Sequence, residues 1–170
     1  SSWGFLCPAE TPEGASIGIV KNLSYLAHIT IPSSSASIYN IVLPMVKTLD
    51  VCSSINIYDY VKVFINGTWI GVTDDPVNLY DYLKTKKLQG IFNIYTSIIF
   101  DTKLLVIRVC NDAGRLCRPV FRVKDNNLLY TNNIINRVKN SDLKYDDLLI
   151  SCKIDDAIIE YIDSYEQNYS

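Results

Sequence analysis

Residues 60–90 read YVKVFINGTWIGVTDDPVNLYDYLKTKKLQG. Two runs rich in β-branched and aromatic residues flank Asn66-Gly67. A two-residue loop of that composition predicts a hairpin, because both central positions of its primed turn need positive φ. Asp74 or Asp75 can then cap a helix beginning at Pro76, whose fixed φ suits the first helical position, where a missing N–H is harmless. Val77, Tyr80, Leu83 and Leu88 are read as the inward face of that helix, and Gly90 as its left-handed stop. The late Lys84, Lys86 and Lys87 suit the negative end of the helix dipole and are read as a solvated face rather than a nucleic-acid patch.

Upstream, residues 1–31 are loop-rich, with a strand-like run from Ile17 to Ile31. After the serine-rich residues 33–37, Ile38, Ile41, Val42, Met45, Val46 and Leu49 fall on one helical face, which Pro44 should bend or shorten. Downstream, IYTSIIFD (94–101) and LLVIRVCND (104–112) predict a second hairpin turning near Asp101-Thr102. NDAGRLCRPVFRV (111–123) predicts a tight turn and a further strand. Residues 126–141 read as helix or loop, KYDDLLISCK (144–153) as a short helix, AIIEYID (157–163) as a final strand and DSYEQNYS (163–170) as a frayed tail. Strands with interspersed helices and no βαβ regularity define an α+β fold.

The chain has 170 residues, 48% of them hydrophobic and 20% charged, enough to bury a core. Its formal net charge of −2 gives no basic field that would announce a nucleic-acid or membrane partner. No run approaches the ~20 apolar residues of a membrane span, and no secretory leader is visible. The chain opens Ser-Ser-Trp rather than with methionine and is read as a piece of something longer. Cys7, Cys52, Cys110, Cys117 and Cys152 are odd in number and contain no CxxC pair, which argues against zinc and against a disulfide framework. They are read as small buried residues of a reduced, intracellular protein.

No catalytic triad, phosphate-cradling loop or metal cluster is visible, so no cofactor is expected in this segment. His28, the single histidine, lies in an apolar stretch and is read as a packed imidazole. Asp74/Asp75, Asp146/Asp147 and Asp155/Asp156 are read as caps and solvated turns. Two segments ask for more. In CPAETPEGASIGIVKNL (7–23), Pro8 and Pro12 fix φ, Gly14 and Gly18 permit conformations closed to other residues, and Glu10 and Glu13 are held between them. Such a braced loop loses little entropy when a partner arrives. In NDAGRLCRP, Arg115 and Arg118 stand three apart and would leave a strand on opposite faces, so a single phosphate clamp is not implied. Arginine pairing with acidic neighbours to lock the turn is the favoured reading.

Together these segments resemble the second-largest subunit of multisubunit DNA-directed RNA polymerase, in its eukaryotic, archaeal and large-DNA-virus branch. WGFLCPAETPEGASIGIVKNLSY (3–25) resembles that subunit's Trp/Tyr-Gly-x-x-Cys-Pro-x-Glu-Thr-Pro-Glu-Gly block. VFINGTWIGV, NDAGRLCRPVF and AIIEYIDSYE resemble its Asn-Gly hairpin, Asp-Ala-Gly-Arg-x-x-Arg-Pro segment and Glu-Tyr-Ile-Asp-acidic block, in family order.

The resemblance implies that residues 1–30 are the C-terminal part of the fork region, 31–105 a first external domain and 106–170 a second external region. It implies a fork loop lining the active-centre cleft near the RNA–DNA hybrid, with structural external regions. Glu13 would belong to a polar network near the RNA 3′ end and incoming nucleotide, and Pro12 and Gly14 to the neighbouring wall. Ser16 and Val20 align with positions bordering an inhibitor pocket in bacterial relatives, where this chain departs by having Ala15-Ser16 in place of Pro-Asn. Asp112, Gly114, Arg115 and Arg118 carry over as structural. The implied activity is nucleotidyl transfer by the whole enzyme, with Mg2+ held by other parts and no activity expected of this segment alone. Implied partners are the largest subunit, other core subunits, the DNA template and the RNA–DNA hybrid, with no membrane. The implied location is the nucleus in a cellular eukaryote, or the cytoplasm or virion for a virus. A free-standing scaffold or interaction domain without polymerase activity is the competing reading. An independent nucleic-acid-binding module is disfavoured by the acidic balance.

Overall fold

The computed structural model describes residues 3–16, 21–50 and 60–169, for Ser16 the backbone only. The strands are β1 (His28–Ile29), β2 (Lys47–Thr48), β3 (Val61–Ile65), β4 (Thr68–Thr73), β5 (Ser97–Asp101), β6 (Val106–Cys110), β7 (Leu116–Phe121), β8 (Val123–Lys124), β9 (Asn127–Leu128) and β10 (Ile159–Asp163). The helices are α1 (Ala36–Val42), α2 (Pro76–Leu88) and α3 (Asn132–Lys139). Among the described residues this is a mixed α+β fold, and no helix is long and apolar enough to cross a membrane.

The hairpin at Asn66-Gly67 contributes two inner strands, β3 and β4, of a five-stranded sheet ordered β2-β4-β3-β6-β5. Asn66 has φ 48° and Gly67 φ 80°, the signs that a primed turn demands. β3 runs parallel to β6, and the other neighbours are antiparallel. Because β6 pairs with both β3 and β5, the boundary expected at 105/106 falls within one sheet. Alternation along β3 sends Val61, Val63 and Ile65 into a core completed by Ile38 and Val42 of α1, Leu79 and Leu83 of α2, Phe92, Ile98, Ile107 and Val109. Asp75 caps α2, accepting a hydrogen bond from the Asn78 amide at 3.3 Å, and Gly90 ends it at φ 76°.

A second sheet, ordered β1-β7-β10, is antiparallel throughout. Its core is built from Cys117, Leu143, Leu148, Leu149, Ile154, Ile158, Ile159 and Tyr161. The Arg122 amide donates to the Ile158 carbonyl at 2.8 Å, so by alternation Pro119 occupies a non-hydrogen-bonded position opposite Tyr161. Its missing N–H faces the other edge, where proline is tolerated.

Several expectations need correction. The strand from Ile17 to Ile31 is not formed over its described part, which holds only β1 and an isolated bridge between Leu23 and Leu6; residues 17–20 lie outside the described residues. Continuing β1 backwards would set Leu26 against Pro119, which cannot donate; instead the chain turns, with the Ala27 amide bonded to the Ser24 carbonyl at 3.1 Å. The helix that Pro44 was expected to bend or shorten is indeed short: it ends at Val42, Pro44 lies in a 3-10 turn (Leu43–Met45), and the expected face beyond it does not continue as α-helix before β2. On α2 the buried stripe is Leu79, Leu83 and Lys87, while Val77 is 60% exposed. The expected helix at 144–153 reduces to a 3-10 turn, Tyr145–Leu148. The tail is not frayed, since Glu166–Tyr169 forms a 3-10 turn in which Glu166 is buried. Cys152 is exposed rather than buried, whereas Cys117 is fully enclosed; Cys52 lies outside the described residues.

Candidate functional site

The braced loop begins and ends on a short antiparallel stem. The Cys7 amide donates to the Asn22 carbonyl at 2.8 Å, the Ser24 amide donates to the Phe5 carbonyl at 3.0 Å, and Leu6 bridges Leu23. Inside the loop, Asn22 Nδ2 donates to the Glu10 carbonyl at 3.1 Å and the Glu10 amide to Cys7 Sγ at 3.4 Å. Gly14 opens a 3-10 turn (Gly14–Ser16) at φ 84°. No atom crowds the place of its missing Cβ, so this glycine answers to backbone sign alone. Pro12 is half-buried, and Glu10 and Glu13 are exposed. The Glu13 carboxylate makes no hydrogen bond or ion pair among the described residues. Val20 lies outside them, and of Ser16 only the backbone is placed.

The Asp-Ala-Gly-Arg turn ties this opening segment to both sheets. Gly114, at φ 81°, donates its amide to the Thr30 carbonyl at 2.9 Å. Thr30 Oγ1 donates to the Asp112 carbonyl and accepts from the Arg115 amide, each at 2.9 Å. The Arg115 guanidinium binds Asp112 Oδ1 at 3.0 Å, Asp163 Oδ2 at 3.1 Å and the Tyr95 carbonyl at 2.8 Å. This is the acidic lock read from the sequence, and it reaches further than the turn, to β10. Arg118 behaves differently: its Nε donates to Gln167 Oε1 at 2.9 Å, its Cζ lies 5.3 Å from the centre of the Phe5 ring, and no carboxylate among the described residues pairs with it. His28 stacks on Tyr95 with ring centres 4.2 Å apart, as a packed imidazole should.

The group that sequence reasoning missed is a buried set of four charges joining α2 to β10 and the tail. Lys87 Nζ lies 3.2 Å from Glu160 Oε1, 2.7 Å from the Tyr161 carbonyl and 3.7 Å from Glu166 Oε2. Lys84 Nζ contacts Glu160 Oε1 and lies 3.3 Å from Glu166 Oε1. The four groups offset one another's desolvation, which lets a helix bury lysine. Above them opens a cavity of about 480 Å³ lined by Tyr80, Arg118, Arg122 and Tyr169 among others. Spacing of Lys84 and Lys87 with Glu160 and Glu166 was the available signal, but it crosses more than seventy residues and needs the fold to interpret it. Among the described residues no group of three or more His, Cys, Asp or Glu side chains could hold a metal ion.

Residues 1–29 match the family model RNA polymerase Rpb2, domain 3, and residues 63–124 match RNA polymerase Rpb2, domain 4. The chain is similar to the DNA-directed RNA polymerase II subunit RPB2 of Encephalitozoon cuniculi (strain GB-M1), 39% identical over 169 residues that cover 99% of this chain and 14% of that subunit. It is 32% identical over 168 residues to the DNA-directed RNA polymerase II subunit 2 of Arabidopsis thaliana, covering 98% of this chain and 14% of that one. It is 29% identical over 170 residues to the DNA-directed RNA polymerase subunit 2 of Acanthamoeba polyphaga mimivirus, again covering 98% and 14%. These matches define a segment of a polymerase subunit. The chain belongs to the family of second-largest subunits of DNA-directed RNA polymerase, in the region of Rpb2 domains 3 and 4. It spans 14% of the length of each of these relatives.

Proposed function

We propose that this segment serves template-directed RNA synthesis within an assembled polymerase, its residue 8–16 loop lining the active-centre cleft and its sheets forming scaffold on the outside. The observation that carries this reading is the Glu13 carboxylate, exposed and unbonded among the described residues, on a segment anchored by the Cys7–Asn22 and Phe5–Ser24 bonds. Nucleotidyl transfer brings the RNA 3′ oxygen onto an α-phosphate. A carboxylate cannot stabilise that anionic group directly, since like charges repel. Glu13 instead orients a cationic side chain from another part of the assembly, pre-organising the nucleotide contact. Metal chemistry for the reaction belongs to other parts of the assembly, and the DNA template and the RNA–DNA hybrid are partners in the full complex, near the cleft that the loop lines. The largest subunit and the remaining core subunits are the expected partners.

Replacing Glu13 by Ala in the assembled enzyme tests this directly. Loss of an outer partner that orients a binding group typically costs about 10-fold or more. The expected result is a change of about that size in elongation rate or misincorporation frequency. If both stay at the parental values in an enzyme that assembles normally, the role assigned to Glu13 is wrong.

A further inference from the structure

Arg118 leaves β7 and crosses the backbone of the opening segment. Gly4 adopts φ 82°, and a Cβ built there would lie 2.5 Å from Arg118 Cδ and 3.1 Å from its Nε. Backbone sign favours glycine here, and a methyl group would also have to displace the arginine passing over it. The next residue, Phe5, is 3% exposed and carries the guanidinium over its ring at 5.3 Å. The Gly4 carbonyl accepts from Ser24 Oγ, and the Phe5 carbonyl accepts from the Ser24 amide at 3.0 Å. So the arginine presses on the two residues that begin the loop stem, and Ser24 closes the same two residues from the returning strand.

The base from which Arg118 reaches is fixed. β7 pairs with β10 at every position from Cys117 to Phe121, and the Arg118 Nε is held by Gln167. Arg115, three residues earlier, is neutralised by Asp112 and Asp163, whereas Arg118 meets an aromatic face and a neutral amide. A planar guanidinium suits both contacts at once, by stacking and by directed N–H donation, in a way that an ammonium group does not.

We propose that Arg118 is a positioning residue for the residue 8–16 loop: by clamping Gly4 and Phe5 it sets the stem, and so sets where the Glu13 carboxylate stands. The inference rests on the cleft-lining reading above. Between stem and Glu13 the chain contains Pro8 and Pro12, whose fixed φ values leave fewer rotations through which the stem's orientation can be lost.

The test uses assembled polymerase carrying Arg118→Ala, Arg118→Lys, Gly4→Ala or the Gly4→Ala/Arg118→Ala pair in its second-largest subunit. Two quantities are read: the nucleotide KM separately from kcat, and hydrogen exchange at the Cys7 and Ser24 amides, which make the stem bonds. Misplacement of a positioned group by even 1 Å can cost on the order of 100-fold. Arg118→Ala and Gly4→Ala are each expected to raise the nucleotide KM about threefold or more and to speed stem exchange, with Arg118→Lys between them and the parent. Residues that act through one contact are not additive, so Gly4→Ala should raise KM less when Arg118 is already alanine, the part that comes from positive φ remaining. Strictly additive effects on KM, or Arg118→Ala changing neither KM nor stem exchange, would overturn the proposal. Faster stem exchange with an unchanged KM overturns the positioning role alone if Glu13→Ala is defective; if Glu13→Ala is also silent, the cleft reading itself falls.

Discussion

Lys87 Nζ lies 3.2 Å from Glu160 Oε1 although the lysine is only 2% exposed. A helix in the first sheet's layer and a strand in the second are thus joined through an ion pair as well as through the side chains packed around it. Breaking such a pair by deleting one member typically destabilises by about 3–5 kcal/mol, because the remaining charge stays buried. Lys87→Met should therefore lower the urea midpoint far more than Lys86→Met, whose parent ammonium sits over the Tyr82 ring at 4.9 Å near the surface. Equal, small shifts for the two would show that the pair does not join the sheets.

The two carboxylates of this cluster should respond to acid in opposite directions. Burial pushes the Glu160 carboxyl up, but Lys87 and Lys84 outweigh it and hold the group below the usual glutamate value. Its stabilising contribution is complete above the unfolded pKa of about 4.3 and is lost as pH falls through the depressed folded value. Burial also pushes Glu166 up, and there the lysines offset it only in part, with Glu160 and Asp163 adding repulsion. Between about pH 4.3 and its raised value the folded state holds a proton the unfolded state lacks, so stability falls as pH rises through that window. At pH 7, Glu166→Gln should leave the urea midpoint equal to the parent's or above it, and Glu160→Gln should lower it. Comparable losses in both variants would refute the assignment.

Two glycines of the first hairpin should differ in their tolerance of alanine. A Cβ at Gly67 meets nothing, so Gly67→Ala incurs only the cost of positive φ, about 1–2 kcal/mol. A Cβ at Gly71 would press into the Lys47 carbonyl of β2, a backbone atom that cannot swing aside. Gly71→Ala should detach β2 from β4, seen as fast exchange of the amides that pair those strands. Gly67→Ala should leave that exchange at the parental rate.

Thiol reactivity should rank by burial. Burial pushes the Cys117 thiol up to about 11 and raises Cys110 as well, while Cys152 is exposed. The thiolate is the reactive form. With iodoacetamide at pH 8, followed by peptide mass spectrometry, Cys152 should alkylate before Cys110, and Cys117 only after unfolding. Early labelling of Cys117 in the folded protein would contradict the packing of the second core.

Much of the fold was legible because it is local. Asn66-Gly67, Asp75-Pro76 and Gly90 specify a turn, a helix start and a helix stop through backbone preferences that hold without a partner. Lys87 and Glu166 were misread for the same reason. A lysine in a polar helix and a glutamate in a polar tail are solvated by default, and their burial follows only from each other's presence. Of the candidate site, the motif blocks and Arg115's acidic partners were visible in the chain, whereas the grip of Arg118 on Phe5 was not, since nothing in RLCRP indicates an aromatic ring more than a hundred residues away.

The opening block and its ordered companions determined the family and the α+β class by themselves, because motif identity and local turn chemistry are written residue by residue. Tertiary structure alone decided which charges are buried, where β1 stops, and that Gly4 lies beneath Arg118. Those outcomes depend on distances between segments far apart in the chain, where an unpaired charge, a missing N–H or a single methyl group decides whether two surfaces can meet.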